Sequence, residues 1–177
     1  MNKRSSFLAA CVLGLGVTST YAQSVTKETV PGITNFARVE TTIACAGATT
    51  PAAVAELKKM GYASIINLRM ATEQGADIEG EAAAAKAAGV NFVHLPFNAA
   101  SPDPAVVDNF LRAVTDRKNN PAFVHCASAN RAAAMWMIKR IQVDKWEVER
   151  ASTEATALGL TSSALKTFAL EYVQAHK

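Results

Sequence analysis

Histidine and cysteine are scarce in this chain, and their placement excludes most metal chemistry. Three histidines and three cysteines stand among 177 residues. His94, His125 and His176 lack the short spacings at which paired ligands meet one ion, and Cys45 and Cys126 are isolated, so no metal site is expected. Aromatic residues make up 7% of the chain and charged residues 19%. No basic patch interleaved with aromatics can be drawn from them, which argues against nucleic acid as a partner. Pairs such as Arg117-Lys118 and Lys139-Arg140 read as solvated helix edges. Also missing are the glycine-rich phosphate loops of nucleotide-binding proteins, internal repeats and low-complexity tracts, and no cofactor is implied.

The first 22 residues lack acidic side chains altogether. Lys3 and Arg4 are followed by an apolar core from Phe7 to Val17, and Thr20-Tyr21-Ala22 offers a small-x-small cleavage site before Gln23. That pattern predicts an export signal over residues 1–22 and a single domain over residues 23–177, placed in the periplasm or secreted. The apolar core is too short for a lasting bilayer span, so no stable anchor is expected after cleavage. Leu8-Ala9-Ala10-Cys11 is a weaker alternative, a lipidation box with little sequence ahead of it. Loss of the signal lowers the formal charge from +3 to +1, which leaves a nearly neutral domain.

Beyond the signal, Gln23 to Pro31 reads as a loose polar leader and Ile33 to Ala46 as one strand or two short ones. Thr50 and Pro51 suit a helix start, with Met60 ending the helix before Gly61. Ala63 to Leu68 reads as a strand, Asp77 to Ala88 as a helix closed by Gly89, and Phe92 to Phe97 as a strand. Pro102 to Lys118 carries Val106, Val107, Phe110, Leu111 and Val114 on one helical face, and Asn119-Asn120-Pro121 breaks it. Helices near Lys145 to Leu158 and Ser162 to His176 complete the chain, and Trp136 and Trp146 read as packing residues. Strands alternating with helices predict an α/β fold: three layers, with a central, mostly parallel sheet of four to five strands flanked by helices. Functional loops then lie at the carboxyl ends of the strands, after Ala46, Arg69 and Phe97.

The organising stretch is Phe123-Val124-His125-Cys126, then Ala127-Ser128-Ala129-Asn130, then Arg131 opening an apolar run. It reads as strand, tight loop, helix. The first N–H groups of a helix lack internal partners and carry the positive end of its dipole, so they attract an anion. A free thiol has pKa ~8.5, and a helix N-terminus plus a cation can bring it to ~3.5–7.5. Arg131 supplies the cation, and its planar fork suits two oxygens of a tetrahedral oxyanion. Alone, Cys126 would read as a small core hydrophobe. The arginine changes that reading, because a charge at the head of an apolar helix needs an anion or a carboxylate.

Val124-His125-Cys126 with Arg131 after a short loop resembles the active-site loop of cysteine-dependent phosphatases, specifically bacterial domains of the DUF442, beta-lactamase-hydrolase-like kind. The resemblance extends upstream over Ile65-Ile66-Asn67-Leu68-Arg69 and Gly89 to Pro96. It implies a cysteine-phosphatase-like fold and hydrolysis of phosphate monoesters through a Cys126 thiophosphoryl intermediate. Ala127, Ser128, Ala129, Asn130 and Arg131 would bind the anion, and a phosphorylated protein or small anionic molecule would be the substrate. His125 would sit behind the cysteine, or else be an ordinary buried histidine. The family takes the leaving-group proton from an aspartate after the preceding strand, which makes Asp103 the candidate acid, with Asp108 further off. Asp103 also reads as a helix-start residue. The chain departs from the family in having four rather than five residues between Cys126 and Arg131, Ala129 where a loop glycine is usual, and Ala132 where a hydroxyl is usual. Two further readings follow from the departures: a rhodanese-like sulfurtransferase carrying a Cys126 persulfide, and a non-catalytic anion-binding module. Export to an oxidising compartment adds Cys45 as a possible redox partner of Cys126, the alternative being a buried free thiol.

Overall fold

A computed structural model describes residues 25–39 and 41–176, so the expected export signal and its cleavage site lie outside the described residues. The elements are β1 (Val25–Lys27), β2 (Ala37–Val39), β3 (Ile43–Ala46), α1 (Val54–Lys59), β4 (Ser64–Asn67), α2 (Ile78–Ala88), β5 (Asn91–His94), α3 (Pro104–Thr115), β6 (Ala122–His125), α4 (Asn130–Gln142), α5 (Val148–Leu158) and α6 (Ser163–Ala175). They form one six-stranded sheet in the order β1-β2-β3-β6-β4-β5. The strands β3, β6, β4 and β5 run parallel, and β1 and β2 add an antiparallel edge.

Strand β6 lies at the centre because Ala122-Phe123-Val124-His125 is buried on both faces, as a parallel strand with neighbours on each side must be. Alternation along each strand sorts the core into two halves. Cys45, Ile66, Val124 and Cys126 face α3, α4, α5 and α6, where they pack with Phe97, Phe110, Met135 and Trp136. Ala44, Ala46, Ile65 and Phe123 face the other way, against Val54, Leu57 and Ala85 of α1 and α2. Hence the three layers, and hence a division at the end of β6: Cys126 belongs to one face of the sheet and His125 to the other.

The expected strand count of four to five is corrected to six. The additional strand, β1, falls in the stretch expected to be a loose leader, and its three residues Val-Thr-Lys are too few and too exposed to show a pattern. Pro51–Ala53 forms a 3-10 turn ahead of α1, and Thr50 has the extended backbone of a cap without a capping side-chain bond. Helix α3 stops at Thr115 rather than Lys118, because Asp116 turns extended and caps a second 3-10 turn over Arg117–Asn119. After β5 the chain stays beside β4 for three more residues, held by Leu95 N–H to Asn67 O (2.9 Å) and Phe97 N–H to Leu68 O (3.2 Å). Among the described residues, no helix is long and apolar enough to cross a membrane.

Candidate active site

Four loops meet where the parallel strands end, and the Cys126–Arg131 loop lies between the others. On one side it is stitched to the segment after β3: Cys126 N–H donates to Ala46 O (3.2 Å) and Ala48 N–H to Ala127 O (3.0 Å). Gly47 permits that approach. A Cβ at position 47 would lie 2.3 Å from Thr34 Oγ1 and 3.0 Å from Ala127 O, closer than real Cβ contacts allow. On the other side the loop rests on the turn between α5 and α6. The Asn130 side-chain oxygen accepts from the N–H groups of Thr161 and Ser162, both at 2.7 Å. Ala129 closes the loop with φ 76°, a left-handed conformation that costs an alanine about 1–2 kcal/mol. Strain of this kind persists only where the surroundings impose it, and it clusters at functional sites.

No side chain caps α4, so its first-turn N–H groups point at the loop unpaired by a cap. Cys126, at the other end of the loop, is fully buried. Arg131 is 8% exposed and held from several sides. Its Nη1 donates to Leu68 O (3.0 Å), Phe97 O (2.9 Å) and Glu73 Oε1 (2.6 Å), and its Nη2 donates to Glu73 Oε2 (2.8 Å). A guanidinium has five N–H donors. The bonds above engage both Nη1 and Nη2, and the Cys126 sulfur is a further Arg131 partner. Burial alone would lower the Arg131 pKa, but Glu73 and Cys126 more than offset it and raise it above the ordinary value.

Glu73 is the residue that sequence reading missed. Burial pushes its carboxyl up, but hydrogen bonds from Arg131, the Met70 N–H and Arg69, with the Arg131 charge, outweigh burial and hold it down at about 2. Its own loop is firmly built. Arg69 donates to Gly75 O (2.9 Å) and Gln74 O (2.6 Å), its N–H donates to Asn67 Oδ1 (2.7 Å), and its carbonyl lies 2.8 Å from His94 Nε2. Between this loop and the one after β5 lies a cavity of about 460 Å³, lined by Met70, Thr72, Glu73, Asn98, Ala99, Ala100 and Arg131. A larger cleft of about 930 Å³ runs between α5 and α6, but it contains none of these residues and lies away from the cysteine loop.

The other expected residues divide plainly. His125 faces away from Cys126 and puts Nε2 2.8 Å from Glu81 Oε1 of α2, while Asn67 Nδ2 donates to Glu81 Oε2 at 2.6 Å. The His125–Glu81 contact is close but not aligned as a hydrogen bond, and both groups are buried. Asp103 is exposed, accepts from Ala105 N–H at 2.9 Å as the cap of α3, and does not line the cavity. Asp108 accepts from the Tyr172 hydroxyl. Cys45 pairs in register with Val124, so it shares a face with Cys126, and both are free thiols. Burial first, then the Cys126 and Glu154 charges, push the Cys45 thiol well up, which makes it a poor nucleophile.

Residues 35–143 match the family described as beta-lactamase hydrolase-like protein, phosphatase-like domain. The chain belongs to that family. Its match runs from the start of the loop-bearing core through the cysteine loop to the end of α4. Solved structures carry the same fold. A DUF442 protein from Shewanella putrefaciens CN-32 is 20% identical at TM-score 0.67, covering 81% of this chain and 94% of its own. TpbA from P. aeruginosa is 23% identical at TM-score 0.65, covering 89% and 92%. The PP-IP phosphatase SIW14 from S. cerevisiae is 15% identical at TM-score 0.67, covering 84% and 93%. No curated protein sequence matches the chain. The fold expected from the resemblance is thus borne out, and the family's sheet is here six strands wide.

Proposed function

We propose that this family member is a cysteine-dependent phosphatase that hydrolyses phosphate monoesters through a thiophosphoryl Cys126. The single observation carrying the reading is the juxtaposition of the buried Cys126 with an Arg131 clamped by Glu73 at the uncapped head of α4. The phosphoryl group sits over the sulfur, its equatorial oxygens on the loop N–H groups and Arg131, a positioning and electrostatic role. The sulfur attacks phosphorus, an S–P bond forms and the ester P–O bond breaks. Water then attacks the same phosphorus, the S–P bond breaks, and phosphate leaves with the thiolate restored.

The substrate is a phosphorylated protein side chain or a small phosphoester. TpbA, whose fold the chain shares, has been solved with phosphotyrosine. The lining of the cavity supports a singly phosphorylated group: beside Arg131 it offers no second cation for further phosphates. The proposed place of action is the periplasm or the exterior, on the strength of Lys3, Arg4, the apolar core to Val17 and the Ala22 cleavage site.

A second reading is favoured by the loop's length, with four residues between Cys126 and Arg131: a sulfurtransferase that carries a persulfide on Cys126. Purified protein and its Cys126→Ser variant, assayed with an aryl phosphate and with thiosulfate plus cyanide, separate the readings. Cysteine-dependent phosphate release is expected. Cysteine-dependent thiocyanate formation without phosphate release overturns it in favour of sulfur transfer, and neither product leaves an anion-binding module.

A further inference from the structure

In-line displacement puts the leaving oxygen on the side of phosphorus opposite Cys126 Sγ, and the space that would receive it is the cavity lined by Arg131 between the loops after β4 and β5. The side chains awaiting it there are Met70, Thr72, Asn98, Ala99 and Ala100. None is an acid. Among the described residues, the one carboxyl group that lines the cavity is Glu73, whose two oxygens are both on Arg131 at 2.6 and 2.8 Å. The acids and imidazoles of the surrounding loops are engaged elsewhere: Asp77 caps α2, Asp103 caps α3, His94 holds the Arg69 carbonyl, and His125 lies behind the sheet against Glu81. Asn98 opens the loop after Phe97 and lines the cavity, and its carboxamide oxygen accepts from Ala100 N–H at 3.0 Å. A carboxamide has no proton to release at neutral pH.

We infer that this site expels its leaving group without a proton from the protein, and that it therefore selects phosphates of weakly basic oxygens, aryl and acyl phosphates, over phosphates of alkyl alcohols. The inference rests on the phosphatase reading and narrows it. A positioned general acid contributes about 10²–10⁴-fold, chiefly where the departing oxygen is strongly basic. Without one, that factor becomes a gap between substrates. Alkyl phosphates such as phosphoserine peptides then lie at least about 100-fold below activated aryl phosphates in kcat/KM, with phenyl phosphates between.

The test is a leaving-group series on the intact chain: acetyl phosphate, nitrophenyl phosphate, phenyl phosphate and a phosphoserine peptide, each with Cys126→Ser as the blank. A steep fall in kcat/KM along the series is expected. Asn98→Asp places a carboxyl at an exposed loop position, and it is expected to narrow the gap between nitrophenyl and alkyl phosphates at least tenfold. Cys126-dependent rates within tenfold across the series overturn this inference alone. A gap that Asn98→Asp does not narrow overturns the assignment of position 98. Absence of Cys126-dependent release from every phosphate, acetyl phosphate included, overturns the phosphatase reading and the inference together.

Discussion

Glu73 shows how much one side chain decides. Arg131 could be anticipated as a cation at the head of an apolar helix in need of an anion, yet 58 residues separate it from the carboxylate that holds it. Nothing in the spacing of Glu73 marks it; only the meeting of the β4 and β6 loops does. Because its folded pKa of about 2 lies below the ordinary 4.5, the ion pair contributes stability that is fully present above about pH 4.5 and lost as pH falls through 2. Chemical melts of wild type and Glu73→Gln from pH 7 to pH 2 are expected to differ most at neutral pH and to converge at the acid end; a difference that grows on acidification would contradict the clamp. Position 132 makes a second case. A hydroxyl beside Arg131 would hydrogen-bond the departing thiolate, and Ala132 has none. Breakdown of the thiophosphoryl intermediate is therefore expected to limit turnover, giving a burst of aryl alcohol in stopped flow, and Ala132→Ser is expected to speed the slow phase and shrink the burst. An unchanged slow phase would place the limiting step elsewhere.

At the level of elements, the cysteine loop is shaped by neighbours more than by its own residues. Ala129 at φ 76° lies over Gly159 at φ 117°, and a Cβ at position 159 would be 3.0 Å from the Ala129 methyl. Gly159→Ala is expected to destabilise by about 2 kcal/mol, from its own left-handed backbone and that close contact. Ala129→Gly removes the loop strain and is expected to stabilise by about 1 kcal/mol. Combined, the two are expected to be better than additive, since the Cβ contact disappears, and a double-mutant cycle of melting free energies reads this directly. Strict additivity would contradict the packing. The strand, loop and helix of the site were legible because an apolar run, a breaker and a second apolar run bound them. The partners Gly47, Gly159 and Asn130 were not, since each acts through a contact with an element distant in sequence. Asp103 had two readings, a helix start from its place ahead of Pro104 and a proton donor implied by the resemblance, and in the structure its side chain caps α3.

Across the whole molecule, alternation along β6 divides the labour between the two faces of the sheet. Arg131 lines the loop cavity and Cys126 is buried on the same side of the sheet, while His125, Glu81 and Asn67 hold β6, α2 and β4 together behind it. The alternation of strands and helices made the three-layer, mostly parallel sheet readable from sequence; the antiparallel edge strand β1 was not, because its three exposed residues carry no periodic signal. Glu81→Ala removes the acceptor of the buried Asn67 side chain and leaves that donor unpaired, so it is expected to cost about 1–3 kcal/mol of global stability. Loss of only a few tenths in a denaturant melt would show that bond to be incidental.

The account as a whole is tested most directly by rapid acid quench of the protein with a phosphate-labelled aryl ester, followed by peptide mapping. A stoichiometric phosphoryl group on the Cys126 peptide, appearing with the burst of alcohol and missing from Cys126→Ser, is the predicted result. Alcohol released equally by the serine variant, or label carried on any other residue, would contradict it.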